Sequence, residues 1–109
     1  MPLNPVYTPV DSSGFSLAPG GELLFPITAG ATGAQIVKSS PGRLCRVVVT
    51  ATGTGAVSIY DNASAASGTV IGVIPASAAV GVYDFQMPAR NGITIGGAAS
   101  NPAMTVGYA

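Results

Sequence analysis

With 109 residues the chain has room for one domain and one core, and folding at this size buries only about two-thirds of the unfolded surface. Charged residues make up 7% of it and cancel to a net charge of zero, against about 25% in an ordinary soluble domain, which argues against nucleic acid as a partner because phosphate binding needs clustered Lys and Arg. So little surface charge favours association, and we expect a homo-oligomer, a dimer or trimer, or cover from another protein.

Residues 1 to 21 hold Pro2, Pro5, Pro9 and Pro19 among Ser12, Ser13, Gly14, Gly20 and Gly21, a composition that cannot be helical and has little to bury. They read as an extended arm preceding a β-domain at 22–109. Val6, Tyr7, Val10, Phe15 and Leu17 give the arm apolar side chains to lie along a partner. The start MPLNPVYTPVDSSG has neither the basic beginning nor the apolar stretch of a signal peptide, and no run approaches the ~18 apolar residues of a membrane helix. We therefore expect a mature chain beginning near Met1, made in a cytoplasm, with no membrane partner.

The first strand is expected over Glu22 to Thr28, with Pro26 confining it to a sheet edge or bulge. Ala29 to Gly33 turns the chain, and Ala34 to Ser39 forms a short strand with Ile36 and Lys38 on one face. Ser40-Pro41-Gly42 is a turn. The following run is rich in β-branched residues, and alternation sends Cys45, Val47, Val49 and Ala51 to the core face and Leu44, Arg46, Val48 and Thr50 to the other. Thr52 to Gly55 reads as a hairpin turn returning the chain along Ala56 to Asp61.

Asn62 to Gly68 is a loop of small residues without an apolar stripe to dock a helix. Thr69 to Pro75 is a strand in which Gly72 marks a bulge or a close backbone approach. In Val80 to Met87, Tyr83, Phe85 and Met87 share a face and Pro88 stops the strand. Arg90-Asn91-Gly92 turns, Ile93 and Ile95 form a short strand, and Ala103 to Tyr108 closes with Met104, Val106 and Tyr108 on one face. The whole predicts an all-β protein, an antiparallel β-sandwich or jelly-roll of about seven to eight short strands with an extended N-terminal arm. Its expected core is Cys45, Val47, Val49, Val57, Ile59, Ile71, Val73, Tyr83, Phe85, Ile93, Ile95 and Val106.

Catalytic chemistry finds few residues to use. There is no His, hence neither the commonest general base nor the commonest transition-metal ligand. Asp61 and Asp84 are the candidates for an acid and base pair, but the chain has no Trp and only scattered Tyr for a substrate platform. Asp61 with Asn62 suits a strand end, where such side chains bond local backbone, and lacks the dense spacing of a calcium loop. Cys45, in a Val-rich strand, reads as a buried and inert thiol. Gly53 and Gly55 precede no helix, so they are turn glycines and not a nucleotide loop. We expect no enzyme activity and no cofactor or metal. Lys38, Arg43 and Arg46 surround the Pro41-Gly42 turn, where they could meet an acidic partner surface or stand as ordinary solvated residues.

IVKSSPGRLCRVVVTATGTGAVSIYDNASAASGTVIGVIP from Ile36, then VGVYDF, NGITIGG and a closing MTVGYA, resembles a group of small virion proteins of tailed bacteriophages. There a lysine and a Pro-Gly-Arg turn lead into a Val-rich strand, a Gly-containing hairpin, a strand ending in Asp, an Ala-rich loop, an Ile-Pro and a late Asn-Gly-Ile or Asn-Gly-Val strand. The resemblance is a β-pattern without a catalytic motif, and it leaves residues 1 to 21 outside. It implies a capsid decoration, or cement, protein that binds the major capsid protein on the outside of the virion and stabilises the head. A tail, collar or fibre component is the alternative it implies. On this reading Tyr7, Phe15 and Leu17 are the arm's partner-binding anchors, and Lys38, Arg43 and Arg46 add polar contacts.

Overall fold

The computed structural model describes residue 21 and residues 23–30, 33–96 and 101–109. The segment read as an arm, with Tyr7, Phe15 and Leu17, lies outside the described residues. Eight strands follow in order: β1 (Leu23–Ile27), β2 (Gln35–Lys38), β3 (Gly42–Ala51), β4 (Val57–Tyr60), β5 (Val70–Ile74), β6 (Gly81–Ala89), β7 (Ile93–Ile95) and β8 (Ala103–Tyr108). They form two four-stranded sheets, β1-β8-β3-β6 and β2-β7-β4-β5, with every pairing antiparallel.

The pairing follows a simple rule. β4 pairs with β5, β3 with β6, β2 with β7 and β1 with β8, as in one long ribbon bent back on itself. Rolling that ribbon brings β8 against β3 and β7 against β4, which closes the two sheets. This is the jelly-roll form of the β-sandwich. It corrects the hairpin expected at Thr52 to Gly55: that stretch carries the chain from one sheet to the other, and β3 and β4 do not pair. Glycine-rich turns suit a crossing as well as a hairpin, so local composition does not distinguish the two. Pro26 stands in the edge strand β1 opposite Thr105, at a sheet edge as its proline requires. Pro88 likewise falls inside β6, the other edge of that sheet, and does not end the strand.

The two inner faces meet in one aliphatic core, in which Leu44, Val47, Val49, Met104 and Val106 of one sheet face Val57, Ile59, Ile74, Ile93 and Ile95 of the other. All of these are at most 1% exposed. Val47→Ala or Val49→Ala is expected to cost about 1–3 kcal/mol in denaturant unfolding, through lost burial and a residual cavity. Tyr83 and Phe85, placed in the core by alternation, are half-buried and pack against its margin. Phe85 closes the flank between β5 and β6 by lying on Gly72, where an added Cβ would come within 2.8 Å of its ring. Gly72, expected to mark a bulge or a close backbone approach, stands beside a bulge that leaves Ile71 unpaired, and what approaches it closely is a ring and not backbone.

The register shifts at Ile36/Lys38, Leu44/Arg46, Val49/Ala51 and Ile59/Tyr60. In β3, Leu44 pairs with Tyr108 and Arg46 with Gly107, so Cys45 is an extra residue with no partner of its own. That bulge turns Leu44 inward, against the expected alternation, and leaves Cys45 buried but outside the main aliphatic cluster. Across from it β6 also bulges, with Gln86 at φ 54°, a left-handed conformation costly for a residue with a side chain. In the β4–β5 pair the register shifts between Ile59 and Tyr60, so Ile71 and Ile74 are buried whereas Val73, expected in the core, is 49% exposed. Ala51, also placed on the core face, is exposed just beyond the register shift between Val49 and Ala51.

Candidate functional site

The basic residues singled out around the Pro41-Gly42 turn belong to two sheets, but the Lys38 side chain reaches Gly42 at the start of β3, where an added Cβ would lie 3.0 Å from its Nζ. Lys38 ends β2 in one sheet, while Arg43 and Arg46 belong to β3 in the other. Arg43 donates from Nη2 to the Gln86 carbonyl at 3.1 Å, so its guanidinium holds the bulge of the neighbouring strand. Arg46 Nε stands 3.0 Å from Asp84 Oδ1, a cross-strand ion pair whose N–H is not aimed along the contact. With side chains 33% and 60% exposed, the pair is worth about 0.2–1 kcal/mol. Both arginines therefore serve their own sheet, and Asp84 is paired with Arg46 in one sheet whereas Asp61 follows β4 of the other.

Asp61 and Asn62 form the polar centre of the molecule. Asp61 Oδ1 accepts from the backbone N–H of Asn91 at 2.7 Å and of Gly92 at 3.3 Å, joining the end of β4 to the turn before β7. Asn62 Oδ1 accepts from the N–H groups of Ser64 and Ala65, and its Nδ2 donates to the Ser67 carbonyl. Buried Thr94 donates its hydroxyl to the Asn62 carbonyl at 2.7 Å. These bonds give the residues the backbone-binding role expected of Asx side chains at a strand end, extended to a segment thirty residues away. Asp61→Ala frees two N–H groups and is expected to cost about 1–3 kcal/mol in denaturant unfolding. Asp61→Asn, which keeps an acceptor oxygen, should recover most of that loss; equal losses for the two variants would mean the bonds carry little.

No cluster of His, Cys, Asp and Glu able to hold a metal occurs among the described residues. Cys45 is fully buried, and burial pushes its thiol up, with the Arg43 and Arg46 charges pulling the other way.

What the sandwich does offer is its outer faces. On the β2-β7-β4-β5 sheet, register aligns Ile36, Thr94, Tyr60 and Val70 in one row and Ser58 with Val73 beside it. Ile36, Val70 and Val73 are exposed. On the β1-β8-β3-β6 sheet one row is Pro26, Thr105, Val48 and Val82, and the next is Leu24, Gly107, Arg46 and Asp84. Leu24 is 72% and Val82 57% exposed, so each face shows water aliphatic side chains with few charges among them. These rows were not singled out from the sequence. Ile36 and Val70 are far apart in the chain, and only the pairing of β2 with β7 and of β4 with β5 and β7 aligns them.

The fold and these faces define an eight-stranded jelly-roll sandwich with apolar outer surfaces. Comparison with protein-family models, with curated proteins and with solved structures finds no match.

Proposed function

We propose that the chain is a structural protein of a tailed-bacteriophage virion, a capsid decoration protein that seats an outer face of its sandwich on the major capsid protein. The observation that carries this reading is the exposed aliphatic side chains Ile36, Val70 and Val73 on the edge strands of the β2-β7-β4-β5 sheet, in a chain only 7% charged. Exposed apolar surface of this kind gains free energy when a partner covers it. The sequence resemblance stated above supplies the choice of partner, and the jelly roll is an architecture in which capsid proteins recur. Repetition on a particle would also offset the modest core of so short a chain, since any partner that binds only the folded state stabilises it.

The test is to mix the purified chain with phage heads lacking it and to measure occupancy by electron microscopy over a range of concentrations. Saturable density on the outside of the head is expected, and Ile36→Lys with Val70→Lys should lower occupancy at least tenfold at subsaturating concentration, since each removes apolar contact and buries a charge. Density confined to tail, collar or fibre would replace the decoration reading. Equal occupancy for the double variant would move the contact off this face.

A further inference from the structure

Asn91-Gly92 is the chain's one Asn-Gly pair, the dipeptide in which an asparagine side chain is most open to attack by its own backbone. The Gly92 nitrogen, unhindered by a Cβ, can add to the Asn91 side-chain carbonyl carbon. A C–N bond forms there, and the side-chain amide nitrogen leaves as ammonia, taking up the proton that Gly92 gives away. One water then opens the resulting succinimide to aspartate or isoaspartate, and nothing is oxidised or reduced. No bulkier residue can stand in place of this glycine, because an added Cβ would lie 2.5 Å from the Lys38 carbonyl oxygen and 2.7 Å from the Ala63 Cα. The hazard is built into the turn.

We propose that Asn91-Gly92 is a latent deamidation site that Asp61 keeps closed, so that the folded chain stays unmodified at Asn91 and is converted irreversibly when this turn opens. Asp61 Oδ1 accepts from the Asn91 N–H at 2.7 Å and from the Gly92 N–H at 3.3 Å. The short bond fixes the Asn91 peptide, and the longer one engages the proton that has to leave. A carboxylate is too weak a base to remove an amide proton, so the contact holds the Gly92 nitrogen in its protonated, unreactive form. Gly92 is buried although Asn91 is exposed, which keeps hydroxide from that proton. Ring closure also requires the nitrogen to move toward the Asn91 side chain, and Gly92 is hemmed in by main chain from the end of β2 and from the loop after β4.

The purified full-length chain is held in warm, mildly alkaline buffer, natively and in concentrated urea, and loss of the amide at residue 91 is followed by peptide mass spectrometry. Native wild type should lose it at least tenfold more slowly than the urea-unfolded chain. Asp61→Ala should raise the native rate about tenfold or more, since a hydrogen bond to a charged acceptor shifts a local opening equilibrium by that much. Val47→Ala separates the clamp from general stability: its expected loss in the core is of similar size and leaves Asp61 in place, so its native rate should stay near that of wild type. Equal native rates in the two variants overturn the proposal, and so does a wild type that reacts as fast folded as unfolded. A slower reaction in Asp61→Ala also overturns it, since the carboxylate would then be promoting the attack. Should Asp61→Ala lose its fold, amide exchange in the wild type decides: the Asn91 and Gly92 protons should exchange at least tenfold more slowly than in an unstructured peptide of the same sequence, and exchange at the peptide rate overturns the proposal.

Discussion

Gly92→Ala is expected to lower the unfolding free energy by about 3 kcal/mol or more in denaturant titration, the most severe outcome for the smallest possible change. A Cβ there would lie 2.5 Å from the Lys38 carbonyl oxygen, 2.7 Å from the Ala63 Cα and 3.0 Å from the Asn62 carbonyl oxygen. Those atoms are backbone from the end of β2 and from the loop after β4, so no side-chain rotation relieves the clash. A shift of Gly92 itself would break its hydrogen bond to Asp61 Oδ1. Gly81→Ala is the control: nothing lies within 4 Å of its added Cβ, and at this strand position the change should be neutral or stabilise by about 0.5–1 kcal/mol. Equal stability of the two variants would show that the three segments meeting at Gly92 can give way.

Ile59→Ala should cost about 2–5 kcal/mol by the same measurement. Its side chain is fully buried, and its strand is paired on both sides, with Gly72 of β5 and Ile95 of β7. With neighbours held by two ladders, the space left by the removed atoms cannot collapse, and the cavity adds to the lost transfer free energy. Val73→Ser on the adjacent strand should change stability by no more than about 0.5 kcal/mol, because that side chain is half in water. A loss at Val73 comparable with that at Ile59 would contradict the register shift between Ile59 and Tyr60.

Alternation was enough to find the middle of this protein. Val47, Val49, Val57, Ile59, Ile93, Ile95 and Val106 lie where a period of two places them, since in regular stretches one face must be apolar if the sheet is to pack. The misplacements sit at irregularities. Leu44 joined the core face at one bulge, and Ile74 took the place assigned to Val73 at another, because an extra residue resets the phase and no side chain announces it. Which strands pair was less legible still. Neighbours in sequence, β3 and β4, separate into different sheets, whereas β1 and β8 join from opposite ends of the described chain. The Asp61 and Asn62 centre was visible as a pair suited to bonding backbone, but its tie to Asn91 and Gly92 needed the rolled ribbon. The basic residues Lys38, Arg43 and Arg46 divide between two sheets, yet the Lys38 ammonium still reaches Gly42, beside Arg43.

The place of β8 has a consequence for how the molecule is made. It lies between β1 and β3, and it is the last of the eight strands to leave a ribosome. Until it emerges β1 has no partner, and β3 holds only β6, so one sheet of the sandwich exists as a lone strand and a two-stranded ribbon. The early strands cannot settle as they are synthesised; the β4–β5 pair, close in sequence, can form first, and the outermost pairing must wait for the longest loop to close. During that wait the unpaired edges of β1 and β3 are open to strands of other nascent chains. A frameshift or early stop before Ala103 thus removes the centre of a sheet and leaves its edges, so faulty translation of this chain yields sticky fragments in place of a shortened domain.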